Sequence, residues 1–368
     1  GGGNLVLPSL GGNLVYDVSL FASEGIITIV TVPTAIPVLV SAYNVQGSSS
    51  WNVNSNWLPT SAMPNSIGAL VNLTNNITSN TDVSLNGDRT VGIMTIGDRD
   101  NTHRFQIQQG SGSGRLIFDN GNYGASLLSK VHANSGNAVD VISAPILLRN
   151  NLMINVNPGG TGARLNMAGS IAQEPASSLG VIYMGDARYE LTGTDVNTYT
   201  GPTVVWHRGV GRNATTEPNL ILNRNTPNAA VPGDLVIGNR STGGIGNVMV
   251  HLAQSDQIAD TGVIRFDAGT GAFATGNGGN NSYFKLLGFN ETVAGIEDFT
   301  SSGVIENMEG ESQTTASTLT LQTLAGQTSF FNGFIRDRAN NTGSGTLNLI
   351  ISGSGTQVLS GGNISFSG

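Results

Sequence analysis

The sequence predicts an all-β chain that folds as a right-handed parallel β-helix, preceded by an atypical N-terminal strand segment. Three observations carry this prediction. The apolar runs are short and rich in Val, Ile and Leu, and clusters of Gly, Ser, Asn and Thr separate them. No window between these breaks keeps a helical period. Gly supplies 51 of the 368 residues, and charged residues only 11%, about half the usual share.

The pattern is clearest in residues 318–368. Its apolar runs fall at 319–321, 346–351, 357–359 and 364–366. Each run is too small to bury its own apolar face, so it needs a similar run above and below it. This is the requirement of a solenoid coil.

Residues 1–50 are strand-like but contain less Asn, and they end in the low-complexity run Gly47-Ser48-Ser49-Ser50. End coils must differ from inner coils to cover an exposed edge. We therefore predict a cap or subunit-joining segment at 1–50 and a β-solenoid at 51–368. Because the chain starts at Gly1 without Met, we expect a processed product or an excised segment.

Residues 26–45 are the most apolar window and the candidate for a membrane segment. Pro33 and Pro37 interrupt the window, and its β-branched residues have no basic flank. A membrane helix needs about 20 cleaner apolar residues. We predict two strands broken at the prolines and no membrane insertion.

The pair Trp51 and Trp57 follows this segment. Six residues apart, the two rings share a face if the chain is extended there. Two interpretations stay open: packing at the foot of the stack, or a platform on which a glycan stacks. Trp206 is a further candidate for glycan contact.

The middle of the chain repeats a series of strand-like runs. Runs at 89–98, 105–108 and 116–119 return in the same order at 234–239, 248–250 and 263–267, with drifting spacing. Coils of about 20–25 residues, rising about 4.8 Å each, would give some 15 coils and a rod of roughly 70 Å. We expect Asn side chains in the turns to form amide ladders. Separate β-sandwiches are the alternative fold.

Several segments carry a family likeness: Trp51 to Trp57, 75–78, 85–91, 95–98, 197–201, 332–337, 347–349 and 355–361. Through them, residues 51–368 resemble the autotransporter-associated β-strand repeat proteins. These occur in autotransporter passenger domains and in large exported bacterial proteins that often carry a PEP-CTERM sorting signal. The resemblance implies an extended right-handed β-helix in an extracellular, cell-surface location.

A solenoid that stops at residue 368 would expose unpaired strand edges, which can add a strand from another chain. We therefore predict a homopolymer in which the last coil pairs with the N-terminal strands of the next subunit. The predicted subunit-joining residues are Asn4, Leu5, Val6, Leu7, Asn363, Ile364 and Phe366.

Composition and motifs give little support to other classes of function. The net charge is −8, and the 16 basic residues are scattered, so no stripe predicts nucleic acid binding. The four histidines (His103, His132, His207 and His251) lack metal-ligand spacing, and no catalytic residue or cofactor is predicted. The weak exception is Ca²⁺, for which the acidic residues Glu297, Asp298, Glu306, Glu309 and Glu311 are candidate ligands.

The main functional alternative is a polysaccharide lyase or hydrolase on a β-helix scaffold, because such chemistry uses clustered carboxylates with basic partners. Two loops offer these residue types. One holds Asp98, Arg99, Asp100 and Arg104, and the other holds Arg336, Asp337 and Arg338. The simpler interpretation is that both loops are held by salt bridges.

Overall fold

The structure is a computed structural model of the 368-residue chain. It describes residues 14–17, 28–31, 40–59, 62–130, 138–156, 164–185, 188–206, 218–238, 247–266, 281–298, 301–308, 313–338, 343–361 and 363–368. Within these ranges the regular structure is β-strand, apart from one 3-10 turn at Asn54–Asn56. No helix in the described part has the length and apolar character needed to cross a membrane.

The strands are short throughout. In chain order the first group is β1 (Leu14–Asp17), β2 (Thr28–Thr31), β3 (Val40–Tyr43), β4 (Ser49–Ser50), β5 (Trp57–Leu58), β6 (Leu70–Leu73), β7 (Thr81–Leu85), β8 (Arg89–Val91), β9 (Ile93–Ile96), β10 (Phe105–Gln109), β11 (Leu116–Phe118) and β12 (Ser126–Lys130). The second group is β13 (Val139–Ile142), β14 (Ile146–Leu148), β15 (Leu152–Val156), β16 (Arg164–Met167), β17 (Ile171–Gln173), β18 (Val181–Gly185), β19 (Arg188–Gly193), β20 (Thr203–Trp206), β21 (Leu220–Arg224), β22 (Leu235–Gly238), β23 (Val248–Leu252) and β24 (Val263–Phe266). The third group is β25 (Ser282–Lys285), β26 (Glu291–Val293), β27 (Gly295–Asp298), β28 (Gly303–Met308), β29 (Ser317–Thr323), β30 (Thr328–Phe331), β31 (Phe334–Arg338), β32 (Leu347–Gly353), β33 (Thr356–Leu359) and β34 (Asn363–Ser365).

These strands form the stacked faces of a parallel β-helix. Face 1 is a 13-stranded sheet from β33 to β3, with β5 beyond β3, and face 2 is a 12-stranded sheet from β34 to β4. Face 3 has two parts, a 4-stranded sheet (β8, β11, β14, β17) and a 3-stranded sheet (β26, β29, β32). All neighbours are parallel except β3 with β5, and β1 pairs with β2 in a separate antiparallel ribbon. The predicted fold class is confirmed.

The coils are longer and fewer than the sequence predicts. On face 1, Val181 aligns with Thr203, 22 residues later, whereas Ile93 aligns with Leu127, 34 residues later. In the described ranges face 1 contains twelve parallel strands, so its stack is about 50 Å tall at about 4.8 Å per strand. The prediction of 15 coils was wrong because the connecting turns take more residues than expected.

The start of the stack also differs from the prediction. Strand β3 pairs in parallel with β6, and β4 pairs with β7, so the stack begins ahead of the boundary expected at residue 50. The two strands expected within 26–45 are present as β2 and β3.

The core runs along the axis as columns of aligned inward side chains. One column on face 1 contains Met94, Leu128, Ile154, Tyr183, Val205, Ile237 and Phe266, and each of them is buried. Burying such a side chain contributes about 1.5–3 kcal/mol relative to exposure. A single coil would leave its part of the column open to water, so neighbouring coils stabilise one another.

Face 3 is interrupted between β17 and β26, where the only described pairing is a bridge from Val231 to Ile258. Because of this gap, the predicted repeat of strand series does not hold in the structure. Strands β9, β10 and β11 lie on faces 1, 2 and 3, whereas β22, β23 and β24 lie on face 1, face 2 and again face 1. The two series match in sequence but not in position.

Glycine allows successive coils to approach closely at the corner between faces 1 and 2. A Cβ atom on Gly333 would lie 2.2 Å from the carbonyl oxygen of Gly303, and a Cβ on Gly361 would lie 2.0 Å from that of Gly333. Real Cβ atoms do not approach so closely, so this corner accepts only glycine in the present backbone. The recurrence of Gly at the start of β28 and just before β31 and β34 has this steric cause.

Candidate functional site

The candidate functional site is the last coil, formed by β32, β33 and β34. Each of these strands is the outermost strand of its sheet in the described part of the chain. Their inner neighbours are β29, β30 and β31. An outermost strand presents one row of backbone N–H and C=O groups outside the described ladder, and such an edge is the kind of surface to which another strand can add.

The last coil also carries exposed apolar side chains. Ile350 and Ile351 in β32 are 49% and 51% exposed, and Ile364 in β34 is 37% exposed. Phe366 is half-buried and packs against the core. Of the other predicted subunit-joining residues, Asn363 begins β34, although its side chain is outside the description, and Asn4, Leu5, Val6 and Leu7 lie outside the described residues.

The first coil is closed differently. Strand β5 turns back antiparallel along β3, and Trp51 and Trp57 seal the interior with ring centroids 4.6 Å apart. Trp57 Nε1 donates to the Trp51 carbonyl oxygen at 2.8 Å, and Trp51 Nε1 donates to that of Pro64 at 2.9 Å. Both side chains are 0% exposed. Neither ring has a free face for a sugar, so the glycan-contact prediction is corrected to packing; the side chain of Trp206 is outside the described part.

The first candidate catalytic loop is organised around one buried carboxylate. Asp98 is 0% exposed. Its Oδ1 accepts the Ile77 N–H at 2.9 Å, and its Oδ2 accepts the N–H groups of Thr102 and His103 at 3.0 and 2.9 Å. A hydrogen bond from the Thr102 hydroxyl to Asp100 lowers the pKa of Asp100 to about 2. These carboxylates hold the turn.

The second loop is equally structural. Asp337 accepts the Leu347 N–H at 2.7 Å and the Ser367 hydroxyl at 2.7 Å, which ties the end of the chain to the preceding coil. Arg336 Nε donates to Glu306 at 2.8 Å, and Arg338 donates to the Gly343 carbonyl oxygen.

The three described acidic residues among the Ca²⁺ candidates each have another partner. Glu297 accepts from Arg265 at 2.8 Å, Asp298 accepts the Gly303 N–H at 2.7 Å, and Glu306 lies 3.4 Å from Lys285 Nζ. Glu309 and Glu311 lie outside the description. The described residues contain no group of three or more His, Asp or Glu side chains placed to hold a metal ion.

Asn side chains connect coils, but not as predicted. Asn65 accepts the Thr90 N–H at 2.8 Å, and Asn151 accepts the Gly180 N–H at 2.8 Å. Asn219 accepts the Met249 N–H at 2.9 Å. In these pairs the amide of one coil bonds the backbone of the next, and this replaces the expected ladder of amide on amide.

A buried polar column fills the gap in face 3, and sequence reasoning missed it. Asn197 accepts the Ile171 N–H at 2.8 Å and donates to the Ala230 carbonyl oxygen at 2.8 Å. Further along, Glu291 accepts the Gln257 N–H at 2.9 Å. These side chains provide hydrogen bonds that strands would otherwise make, because a buried backbone N–H or C=O left unpaired is costly.

Arg224 crosses the same region and is 0% exposed. Its guanidinium donates to the carbonyl oxygens of Ala168 and Gly169, both at 2.7 Å, and to that of Thr192. It also donates to Asn197 Oδ1 at 3.3 Å. One side chain therefore connects β21 to the turns that follow β16 and β19.

Glu291 should make stability fall as pH rises. Burial raises the pKa of this carboxyl from 4.5 to about 8, against the effect of its backbone donors, and Asp256 adds to the rise. The folded chain then holds a proton that the unfolded chain releases, so stability decreases as pH rises from about 5 to about 8. We expect the Tm to fall by several degrees across this range.

Thermal unfolding of Glu291→Gln at pH 6 and pH 9 is the measurement. The variant cannot ionise at this position, so its Tm should change less than that of the wild-type chain. Equal changes in the two proteins would show that Glu291 does not titrate in this range.

His251 should produce the opposite trend at lower pH. Burial, with added repulsion from Lys285 and Arg188, lowers the pKa of His251 well below 6.5. The folded state keeps the imidazole neutral while the unfolded state protonates it, so stability is lost as pH falls below about 6.5. In thermal unfolding between pH 7 and pH 5, His251→Gln should lack this loss; an unchanged acid dependence would contradict the assignment.

Searched against protein-family models, curated proteins and solved structures, the chain gives no match. The resemblance to autotransporter-associated repeats stays a prediction. What can be stated of function comes from the fold and from the two ends of the stack.

Proposed function

We propose that this chain is a structural β-solenoid of the cell surface that assembles end to end. The last coil of one copy would pack against the first coil of the next. The coarser part, a parallel solenoid compatible with a structural or surface protein, follows directly from the sheets described above. Assembly and location are the proposal.

The observation that carries the proposal is where the exposed large apolar side chains lie. In the described part, Leu324, Phe330, Ile350, Ile351 and Ile364 belong to the last coils, and Val53, Leu58 and Ile67 belong to the first. Only Tyr123 and Val196 lie along the middle. Two apolar ends at opposite poles favour a head-to-tail contact between copies, because such a contact buries both.

The backbone at the last coil supports the same arrangement. Strands β32, β33 and β34 offer edges on all three faces, and each is already paired in parallel on its inner side. Copies stacked along one axis repeat the same contact without returning to the first copy, so this arrangement produces a filament and not a closed ring.

Electron microscopy and sedimentation over a range of concentrations test the proposal. We expect the wild-type chain to form rods that lengthen in steps of about 50 Å, the height of one stack. The double variant Ile351→Lys/Ile364→Lys should stay monomeric, because it places charge at the exposed end of the columns that contain Leu321 and Ile335. A monomer at every concentration in the wild-type chain would contradict the proposal.

The matched control is Tyr123→Lys/Val196→Lys. It adds the same charge at two exposed apolar positions away from both ends. It should assemble as the wild-type chain does. If it loses assembly to the same extent as the end variant, general repulsion is the cause and the last coil is not the contact.

A further inference from the structure

Three reactive side chains meet inside the solenoid at one corner between faces 1 and 2. Lys130 ends β12 and aligns with Ile96 of the preceding coil, and Asp140 lies in β13 and aligns with Leu165 of the following coil. Asn101 lies in the turn after β9. All three are 0% exposed. They occupy interior positions where the columns are otherwise mainly apolar.

Their contacts place an amine beside both a carboxyl and a carboxamide. Lys130 Nζ donates to Asp140 Oδ2 and, at 3.4 Å, to Asn101 Oδ1. The other oxygen, Asp140 Oδ1, accepts the Phe105 N–H at 2.7 Å. The turn is fixed as well, since the Asn101 N–H donates to the Asp98 carbonyl oxygen at 3.0 Å.

Burial favours the neutral form of the acid beside the amine. A charged ammonium and a carboxylate are costly in a dry interior, and burial raises the pKa of Asp140 although Lys130 opposes the rise. Asp140 Oδ2 accepts the hydrogen bond from Lys130 Nζ, so it is the group to which the amine can pass a proton. A desolvated neutral lysine is a nucleophile.

We propose that Lys130 and Asn101 form an intramolecular isopeptide bond, with Asp140 as the proton relay. The electrophile is the Asn101 carboxamide, because Asp140 serves to move the proton. The Lys130 amine lies 3.4 Å from Asn101 Oδ1, the oxygen bonded to the carbon that the amine would attack.

The step balances without a co-reactant. The Nζ lone pair forms a bond to Asn101 Cγ, and the C=O π pair moves to Oδ1. Asp140, which holds the first proton from Nζ, gives it to Nδ2 and then takes a second proton from Nζ. The carbonyl re-forms as the Cγ–Nδ2 bond breaks, and ammonia leaves. The product is a secondary amide between Cγ and Nζ.

Such a bond would tie one coil to the next. Asn101 belongs to the coil of β9 and β10, and Lys130 to the coil of β12 and β13. The chain has no Cys, so it has no disulfide for this purpose. A covalent tie across 29 residues would restrict the unfolded chain in the same way that a disulfide does.

Mass spectrometry of the intact wild-type chain tests the proposal. We expect a mass below that of the sequence by one ammonia, about 17 Da. A tryptic digest should contain segment 100–104 joined to segment 116–149, uncut after Lys130. An unchanged mass after prolonged incubation of the folded chain would overturn the proposal, and so would a loss of one water mapped to a Lys130–Asp140 amide.

A second variant separates the cross-link from a cyclic imide, which forms with loss of ammonia when the backbone nitrogen of Thr102 attacks the Asn101 side chain. Lys130→Met keeps Asn101 but removes the amine. We expect this variant to have the full sequence mass. Loss of ammonia in the variant would assign the change to imide formation and overturn the cross-link.

Discussion

Replacing Arg224 by alanine is expected to lower the free energy of unfolding by about 3–5 kcal/mol. The side chain is fully buried and donates to the carbonyl oxygens of Ala168, Gly169 and Thr192. Alanine would leave these acceptors without a donor where face 3 has no strands, and it would also leave a cavity. Denaturant unfolding followed by circular dichroism is the measurement.

Arg149→Ala is the matched control for this loss. Arg149 also makes two ion pairs, with Asp119 at 3.5 Å and Glu174 at 3.0 Å, but its side chain is 42% exposed. Exposed pairs contribute about 0–1 kcal/mol, so this variant should unfold close to the wild-type chain. Similar losses in the two arginine variants would contradict the role given to the buried guanidinium.

Trp57→Ala should cost about 3–5 kcal/mol as well. The indole closes the first coil, contacts Trp51, and stacks edge-on against Tyr43 with centroids 5.3 Å apart. Its removal would open the end of the core columns to water. We expect the first coils to unfold at a lower denaturant concentration than the rest of the stack. Hydrogen exchange of the amides in β3 and β6 is the measurement.

The neighbouring residue provides the control. Leu58 is 46% exposed, so Leu58→Ala should change stability by less than about 0.5 kcal/mol. Trp57→Phe, which keeps an aromatic ring, should fall between the two. Equal stability of the Trp57→Ala and wild-type chains would show that the Trp pair does not seal the stack.

The architecture could be predicted because solenoid coils have a local signature. The short run at 319–321 lies in β29, and the run at 346–351 lies almost wholly in β32. Turn residues and strand length are properties of a few consecutive residues, so the sequence displays them directly. The number of coils could not be predicted in this way, because turn length varies without a local signal.

The interior polar residues could not be predicted either, because no local signal shows which side chains the stacking of coils will bury. Lys130 and Asp140 look like ordinary charged residues at the ends of strands, and Arg224 follows the apolar run Leu220–Leu222 as a strand-end residue would. Only the stacking of coils brings them inside. The spacing predicts that Trp51 and Trp57 share a face. Whether that face is open to solvent depends on β5, which folds back over β3.

Distances between spin labels would test the stacked-coil account most directly. Because the chain has no Cys, single cysteines can be placed at the exposed positions Leu58, Val196 and Ile351, which belong to the first, middle and last coils. The account predicts about 25 Å from the middle label to either end and about 50 Å between the ends. An end-to-end distance no longer than the two shorter ones would contradict a single straight stack.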